Sequence, residues 1–358
     1  MAARFKILFL CPYPFNEVAS QRFRFEQYYG ILTDQDYDIR HKSFYSDQTY
    51  KILYDEKKYL NKFFGTIWGF ARRLIHLFSA LSADFVFVHR EITPLGPPVF
   101  EWILARLLGK RIIYDFDDAI WLSNTSDENK LISGLKWHKK FYSICRWSYK
   151  ISCCNEFLAS TARKNNNKVT IVPTTIDTET FVPTEGRKKK NITIGWTGTH
   201  STLPFLSEML PVLQKVAQKY PEVIIRIICN KKPDWQLPGL DYISWEKSTE
   251  VEDLYGIDIG LMPLPDNEWT KGKCGFKILQ YFSLGIPAIA SPVGLNNDIV
   301  QDGINGYLCS DETEWIDKLE ELIHNGDLRR RMGQAGRNTV IEHYSLTANA
   351  TTFLRLFE

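Results

Sequence analysis

The sequence predicts an α/β protein made of two doubly wound, Rossmann-like parallel sheets, and three observations carry that expectation. Short apolar runs alternate with segments of helical period, as in 5–11 (FKILFLC), 84–89 (DFVFVH) and 111–114 (RIIY). A run with no polar alternation is how a strand buried on both faces reads. The rhythm ends near residue 180 and restarts after 190. Finally, 358 residues exceed one ordinary core and suit two domains at roughly 150 residues each.

In the first half, the strand at 5–11 is stopped by Pro12 and Pro14, and 21–32 reads as a helix. A strand at 84–89, a helix at 100–108 ended by Gly109, and a strand at 111–114 follow. In the second half the predicted strands are 192–196, 223–229, 257–262 and 288–290, with helices at 203–219 and 276–284. The charged run 184–191 (TEGRKKKN) reads as a solvated linker. The expected domains are therefore 1–180 and 190–342, with a final helix within 345–358. Two such sheets leave a cleft, and ligands of doubly wound sheets bind outside the carboxyl ends of the strands.

Composition excludes several classes. The chain is 44% hydrophobic and 24% charged, which is globular, and its net charge of +2 lacks the basic excess of a nucleic-acid binder. Seven cysteines without a C-x-x-C pair offer no zinc framework. No run of about 18 apolar residues is long enough to span a bilayer. The opening strand lacks the pattern of a signal peptide, so a cytoplasmic protein is expected, placed at the inner face of the membrane if it contacts lipid.

Residues 266–306 are the most informative. A strand leads into a loop with Lys271, Gly272, Lys273 and Gly275, and a helix begins near Phe276. Glycines admit a ligand close to the backbone, helix-terminal amides point at it, and lysines add positive charge, which together make a phosphate cradle. The plainer reading is a strand–loop–helix connection with solvated lysines.

The stretch Gly275, Phe276, Lys277, Ile278, Leu279, Gln280, followed by Ser283, Leu284, Gly285, Ile286, Pro287, Ala288, Ile289, Ala290 and Ser291, resembles the donor-site signature of family 4 glycosyltransferases. So does the run from Asp302 to Tyr307 (DGINGY). Val172-Pro173 with Ile176-Asp177 is similar to that family's interdomain segment, and the last helix resembles one that packs back on the first domain. The resemblance implies the GT-B fold, a nucleoside-diphosphate sugar as donor, a saccharide or lipid-linked saccharide as acceptor, retention at the anomeric carbon, and no metal or other cofactor. The chain departs from the family at several donor positions. Of two glutamates seven residues apart, the second falls on Gln280 and the first on Gly272. Glu268 or Asp266 is the nearest replacement for contact with the sugar hydroxyls, and Glu268 is taken as a catalytic candidate. The family's Arg and Lys after the first strand of the second domain are absent from 195–200 (GWTGTH). Gly198 and Thr199 are candidate donor contacts there. Lys273 and Lys277, beside Gly275, Phe276 and Gln280, are the expected source of the missing charge.

In the first half, Asp115, Asp117 and Asp118 follow a strand. Asp117 falls where the family often has a histidine, and it is the second catalytic candidate, as a proton acceptor or as a stabiliser of positive charge. The D-x-D spacing also suits a metal site, and a plain helix cap is the third reading. Arg22 and Arg24 after the first loop, and Arg90 after a strand, are candidates for acceptor or phosphate contact; Arg90 is expected to pair with Glu91. Residues 57–78 carry a helical apolar stripe with Lys57, Lys58, Lys62, Arg72 and Arg73 off it. It is expected to face the core. The alternative is a helix on a membrane surface, which would make the protein a peripheral membrane protein. Beyond transfer, two functions stay open: a donor-binding subunit without turnover, and a nucleotide-sugar epimerase.

Overall fold

The computed structural model describes residues 5–53, 55, 57–122, 137–184 and 191–358. The chain divides into two units, Met1–Thr174 with Asn349–Glu358, and Thr175–Ala348. Most of the predicted linker, residues 185–190, lies outside the described residues.

The first unit holds strands β1 (Phe5–Cys11), β2 (Tyr37–Ser43), β3 (Phe85–His89), β4 (Arg111–Phe116), β5 (Lys150–Cys153) and β6 (Val169–Ile171). They form one parallel sheet in the order β2-β1-β3-β4-β5-β6. The second holds β7 (Thr193–Gly198), β8 (Ile224–Cys229), β9 (Leu240–Ser244), β10 (Ile259–Met262), β11 (Ala288–Ala290) and β12 (Gly306–Leu308). Their parallel order is β12-β11-β10-β7-β8-β9. Each chain path starts mid-sheet, winds to one side and then to the other. The order therefore reverses between β1 and β3 in one unit and between β7 and β10 in the other.

The central strands were legible because both their faces are buried; β2 and β9 were not. Tyr37–Ser43 (YDIRHKS) and Leu240–Ser244 (LDYIS) are edge strands whose residues are largely half-exposed, so they show no apolar run. The expected helix at 21–32 is broken into Ala19–Arg22, a 3-10 turn at Glu26–Tyr28, and Tyr29–Asp34. The break lets Arg24 and Phe25 turn into the interior, where both are buried. The expected helix at 203–219 is also two, Leu203–Ser207 and Leu210–Lys219. Pro211 opens the second, since it lacks an amide to continue the first.

The first core is aromatic. Phe9 stacks on Phe25 at 5.5 Å and meets Phe87 at 4.9 Å. The terminal segment joins this core: Phe353 stacks on Tyr28 at 4.1 Å, and Phe357 packs on Phe85 at 5.8 Å. The second core is aliphatic, with Ile194, Ile225, Ile227, Leu261 and Ile289 of the sheet against Leu213, Val216, Leu319 and Leu322 of the helices.

The helix Tyr59–Leu81 reverses the expectation that its apolar stripe faces the core. Its buried residues are Gly69, Arg73, His76 and Ala80, and the large apolar side chains point outward. The reason is local. Arg73 donates to the carbonyls of Ile92 (2.8 Å), Lys42 (2.8 Å) and Cys11 (2.7 Å), so one guanidinium serves backbone acceptors just past or at the ends of β3, β2 and β1. Burial lowers its pKa to about 10, which still leaves it protonated at neutral pH. Replacing it removes three hydrogen bonds and leaves the Ile92 carbonyl without that charged donor, and a charged hydrogen bond is worth about 1.5–3 kcal/mol. Arg73→Met should therefore lower unfolding stability by about 3 kcal/mol or more, measured by urea titration. An unchanged midpoint would show that these carbonyls find other partners.

Candidate functional site

In the second unit the elements meet at the reversal of strand order. β7 ends at Gly198, and a Cβ there would stand 2.3 Å from the Trp196 ring, so only glycine lets the backbone lie against the indole. Beyond it, Thr199 Oγ1 is 2.8 Å from Ser201 Oγ, and the His200 amide donates to Asn230 Oδ1 (2.8 Å), tying the loops after β7 and β8 together.

The loop after β10 supplies the other wall. Asn267 and Thr270 form a capping box on the short helix Glu268–Lys271. Lys271 reaches Glu268 (3.1 Å) and Asp266 (3.6 Å), so its charge is spent on these two carboxylates, which keep one net negative charge between them. Gly275 then adopts φ 62°, ψ 15° as cap of the helix Phe276–Ser283, a left-handed conformation that suits glycine. Lys277 lies over the Trp196 ring at 5.4 Å and Lys273 over the Trp269 ring at 5.0 Å. Trp196 thus connects Lys277 to Gly198 across the reversal. A surface of glycine backbone, helix N-terminus and two cations at such a point is a place for an anion.

Gln280 sits differently from the sequence expectation. It is buried, and its amide donates to Glu250 Oε1 at 3.3 Å, so its side chain has an internal partner on another helix. Glu250, itself buried, was missed: it lies 30 positions away on another helix, and no local spacing links the two. Tyr281, also unnoticed, is the wedge of this helix; its hydroxyl accepts from the Thr197 amide (3.1 Å) and thereby fixes the end of β7. The DGINGY run is a turn: Asp302 Oδ1 accepts from the Leu308 amide (2.9 Å), and buried Asn305 donates to the Ile299 carbonyl (3.0 Å).

In the first unit the carboxylates divide into two sets. Asp115 is buried at the end of β4. It accepts from Arg24 (2.5 Å) and Ser152 (2.8 Å) on one oxygen and faces His89 Nδ1 (2.8 Å) on the other. Arg24 also donates to the Val172 carbonyl. The acceptor contact expected of Arg24 is therefore corrected to a buried strut. Arg22 stays near the surface, its guanidinium over the Phe23 ring at 4.9 Å. Burial would raise the pKa of Asp115, but Arg24 and His89 outweigh it and hold the group well below the usual carboxylate range.

Asp117 and Asp118 are held by Arg90, whose Nε donates to Asp117 (2.7 Å) and whose Nη2 donates to Asp118 (3.0 Å). The expected pairing of Arg90 with Glu91 is corrected: Glu91 binds Lys140 at 2.7 Å. Arg90 has φ 58°, a strained backbone for a long side chain, with its amide donating to the Asp115 carbonyl (2.7 Å). Asp117 is likewise kept ionised: burial opposes this, and Arg90 prevails. Its pKa is depressed, which makes it a poor proton acceptor but a lasting negative charge. Among the described residues no group of three or more His, Cys, Asp or Glu is arranged to hold a metal ion.

Comparison with known proteins joins these observations. Residues 241–339 match the family model of glycosyl transferases group 1, a span that includes Glu250, both lysines, Gly275 and Gln280. Over those residues the chain is similar to the glycosyl transferases group 1 domain. The chain is 33% identical over 100 residues to N-acetyl-alpha-D-glucosaminyl L-malate synthase of Bacillus anthracis, covering 27% of this chain and 25% of the synthase. The aligned part is thus about a quarter of that curated relative's length. The whole fold is shared with sucrose-phosphate synthase of Thermosynechococcus elongatus (TM-score 0.69, 11% identity, 99% of this chain and 98% of the other). It is shared also with HepE of Anabaena, determined with UDP and glucose (TM-score 0.66, 11% identity, 98% and 99%). The architecture is GT-B, with the group 1 match in its second Rossmann-like unit.

The buried pair makes a pH prediction. The folded pKa of Asp115 lies below the unfolded value of 3.8, so its contribution is present above about pH 4 and is lost as pH falls. Asp115→Asn leaves Arg24 buried without its counter-charge and should cost about 3–5 kcal/mol at neutral pH. The wild type should lose more stability than the variant between pH 5 and pH 3, read by thermal melts at each pH. Parallel pH curves would remove Asp115 from the acid response.

Proposed function

We propose that this chain transfers a sugar from a nucleoside-diphosphate donor to a saccharide or lipid-linked saccharide acceptor, with retention and without a metal. The observation that carries the reading is the join of Lys277, Trp196 and Gly198 at the reversal between β7 and β10, with Lys273 and the Gly275-capped helix beside it. Those groups neutralise a diphosphate, and they stabilise it most as it leaves with full charge. Because the cations are protein side chains, a metal at the diphosphate is unnecessary. HepE, of the same fold, was determined with UDP and with UDP-glucose, so uracil nucleotides are the first donors to test. The acceptor is assigned to the first unit, where the Arg90, Asp117 and Asp118 cluster stands beyond the end of β4. Glu268 keeps its candidate role in contacting the sugar hydroxyls, with Lys271 as its present partner.

A donor-binding subunit without turnover is the second reading. It is favoured by Gln280 being engaged with Glu250. Donor binding with no transfer across a broad panel of acceptors would select it.

Lys277→Ala should weaken UDP binding about ten- to a hundredfold, the equivalent of one charge-assisted contact of about 1.5–3 kcal/mol. Calorimetry with EDTA present is the measurement, and an unchanged Kd would take the diphosphate away from this helix. Asp117→Asn should leave that Kd within about twofold while lowering kcat about 10²–10⁴-fold, as for a group acting mainly in the transition state. Near-wild-type turnover in a folded Asn variant would reduce Asp117 to a partner of Arg90.

A further inference from the structure

The outward face of the helix Tyr59–Leu81 belongs to neither site. Tyr59, Leu60, Phe63, Phe64, Ile67, Trp68, Leu74, Ile75, Phe78 and Leu81 are each at least half exposed, and Leu60 and Phe78 reach 73%. Of the exposed large apolar residues among those described, the majority lie on this one helix. Its inner face explains why. A Cβ on Gly69 would stand 2.5 Å from the Phe44 ring, so the glycine side approaches the body and the bulky side is left outside. A contiguous apolar strip of this size on a soluble surface marks an interaction site.

The charges select the occupant. No Asp or Glu occurs from 59 to 81, whereas Lys57, Lys58, Lys62 and Arg72 flank the strip. Lys57 and Lys58 are exposed, with Lys58 3.4 Å from Asp55 in a solvent-exposed pair, and Lys62 rests over the Tyr59 ring at 5.5 Å. Asp55 and Glu56 precede the helix, so 55–81 carries two acidic against five basic residues, and a second copy placed face to face would bring two net-positive flanks together. An anionic lipid surface satisfies the cations at the headgroups and the aromatic strip below them. The apolar character continues past the helix: Phe70 on its flank lines a pocket of about 440 Å³ with Leu95, Pro97, Val99, Phe100 and Trp137. Val99 and Trp137 are exposed there as well, beside exposed Lys139.

We infer that this helix lies in the headgroup region of an anionic bilayer, with its Phe63, Phe64 and Trp68 face toward the acyl chains and Lys57, Lys58 and Lys62 on the phosphates. No described helix is long and apolar enough to cross the membrane, so the contact is interfacial. The inference does not depend on sugar transfer and is tested without any substrate.

The experiment is co-sedimentation of the full chain with vesicles of phosphatidylcholine alone or with 30% phosphatidylglycerol. Binding should be stronger to the anionic vesicles and fall with added salt. The triple variant Phe63→Ser, Phe64→Ser and Trp68→Ser should lower the partition coefficient at least about tenfold, since one such side chain alone transfers with that order of gain. These positions face outward, so circular dichroism and UDP binding should be unchanged. Lys57→Glu with Lys58→Glu should remove the preference for anionic lipid. Absence of wild-type binding, or equal binding by the triple variant, would overturn the inference. So would a dimer in gel filtration that the triple variant converts to monomer, because the face would then belong to a second copy.

Discussion

Parallel pairing is the constraint on which the other features of both units depend. When every strand points the same way, every connection must recross the sheet, and all the loops that leave the carboxyl ends collect along one edge. That edge exposes the last carbonyls of each strand together, and water or a side chain must satisfy them. In the first unit buried cations do so: Arg73 serves Cys11, Lys42 and Ile92, and Arg24 serves Val172 while pairing with Asp115. In the second unit the same edge is left lined by Gly198, Gly275 and two lysines set on indole rings. One half thus closes its edge from within, and the other leaves an edge suited to an anion from outside.

The sequence disclosed the parts of this that are local. A strand buried on both faces is an unbroken apolar run, so β1, β3, β4, β7 and β8 could be read directly, as could the glycine and lysine spacing before Phe276. What it concealed is set by distance along the chain. Gln280 reads as exposed to a ligand until Glu250 is brought beneath it. Arg24 reads as a surface cation until the helix before it breaks and delivers it to Asp115, 91 positions away. Arg90 stands next to Glu91 in sequence, yet a positive φ turns its side chain to Asp117 and Asp118 instead. Charged residues are the hardest to place from spacing alone, because a partner across the sheet outweighs a neighbour on the chain.

The helix Tyr59–Leu81 is the sharpest case. Periodicity gives the angle of an apolar stripe but not its direction relative to the protein. Here the opposite stripe wins the interior because it carries small residues and one arginine whose three carbonyl bonds no apolar side chain can replace. The fold accepts an outward apolar face as the result.

The first unit is discontinuous, and this bears on the order in which the molecule is made. Phe353 and Phe357 complete its aromatic core, yet residues 175–348, all of the second unit, are synthesised before them. At roughly 5–20 residues per second on the ribosome, the first core waits on the order of ten to thirty seconds with Tyr28 and Phe85 uncovered. During that interval the second unit, whose sequence is continuous, has everything it needs to fold first, although its synthesis begins only after residue 174. The nascent first unit meanwhile bears two unfinished apolar surfaces, the open core and the outward helix, and of these only the former is closed when the chain is complete.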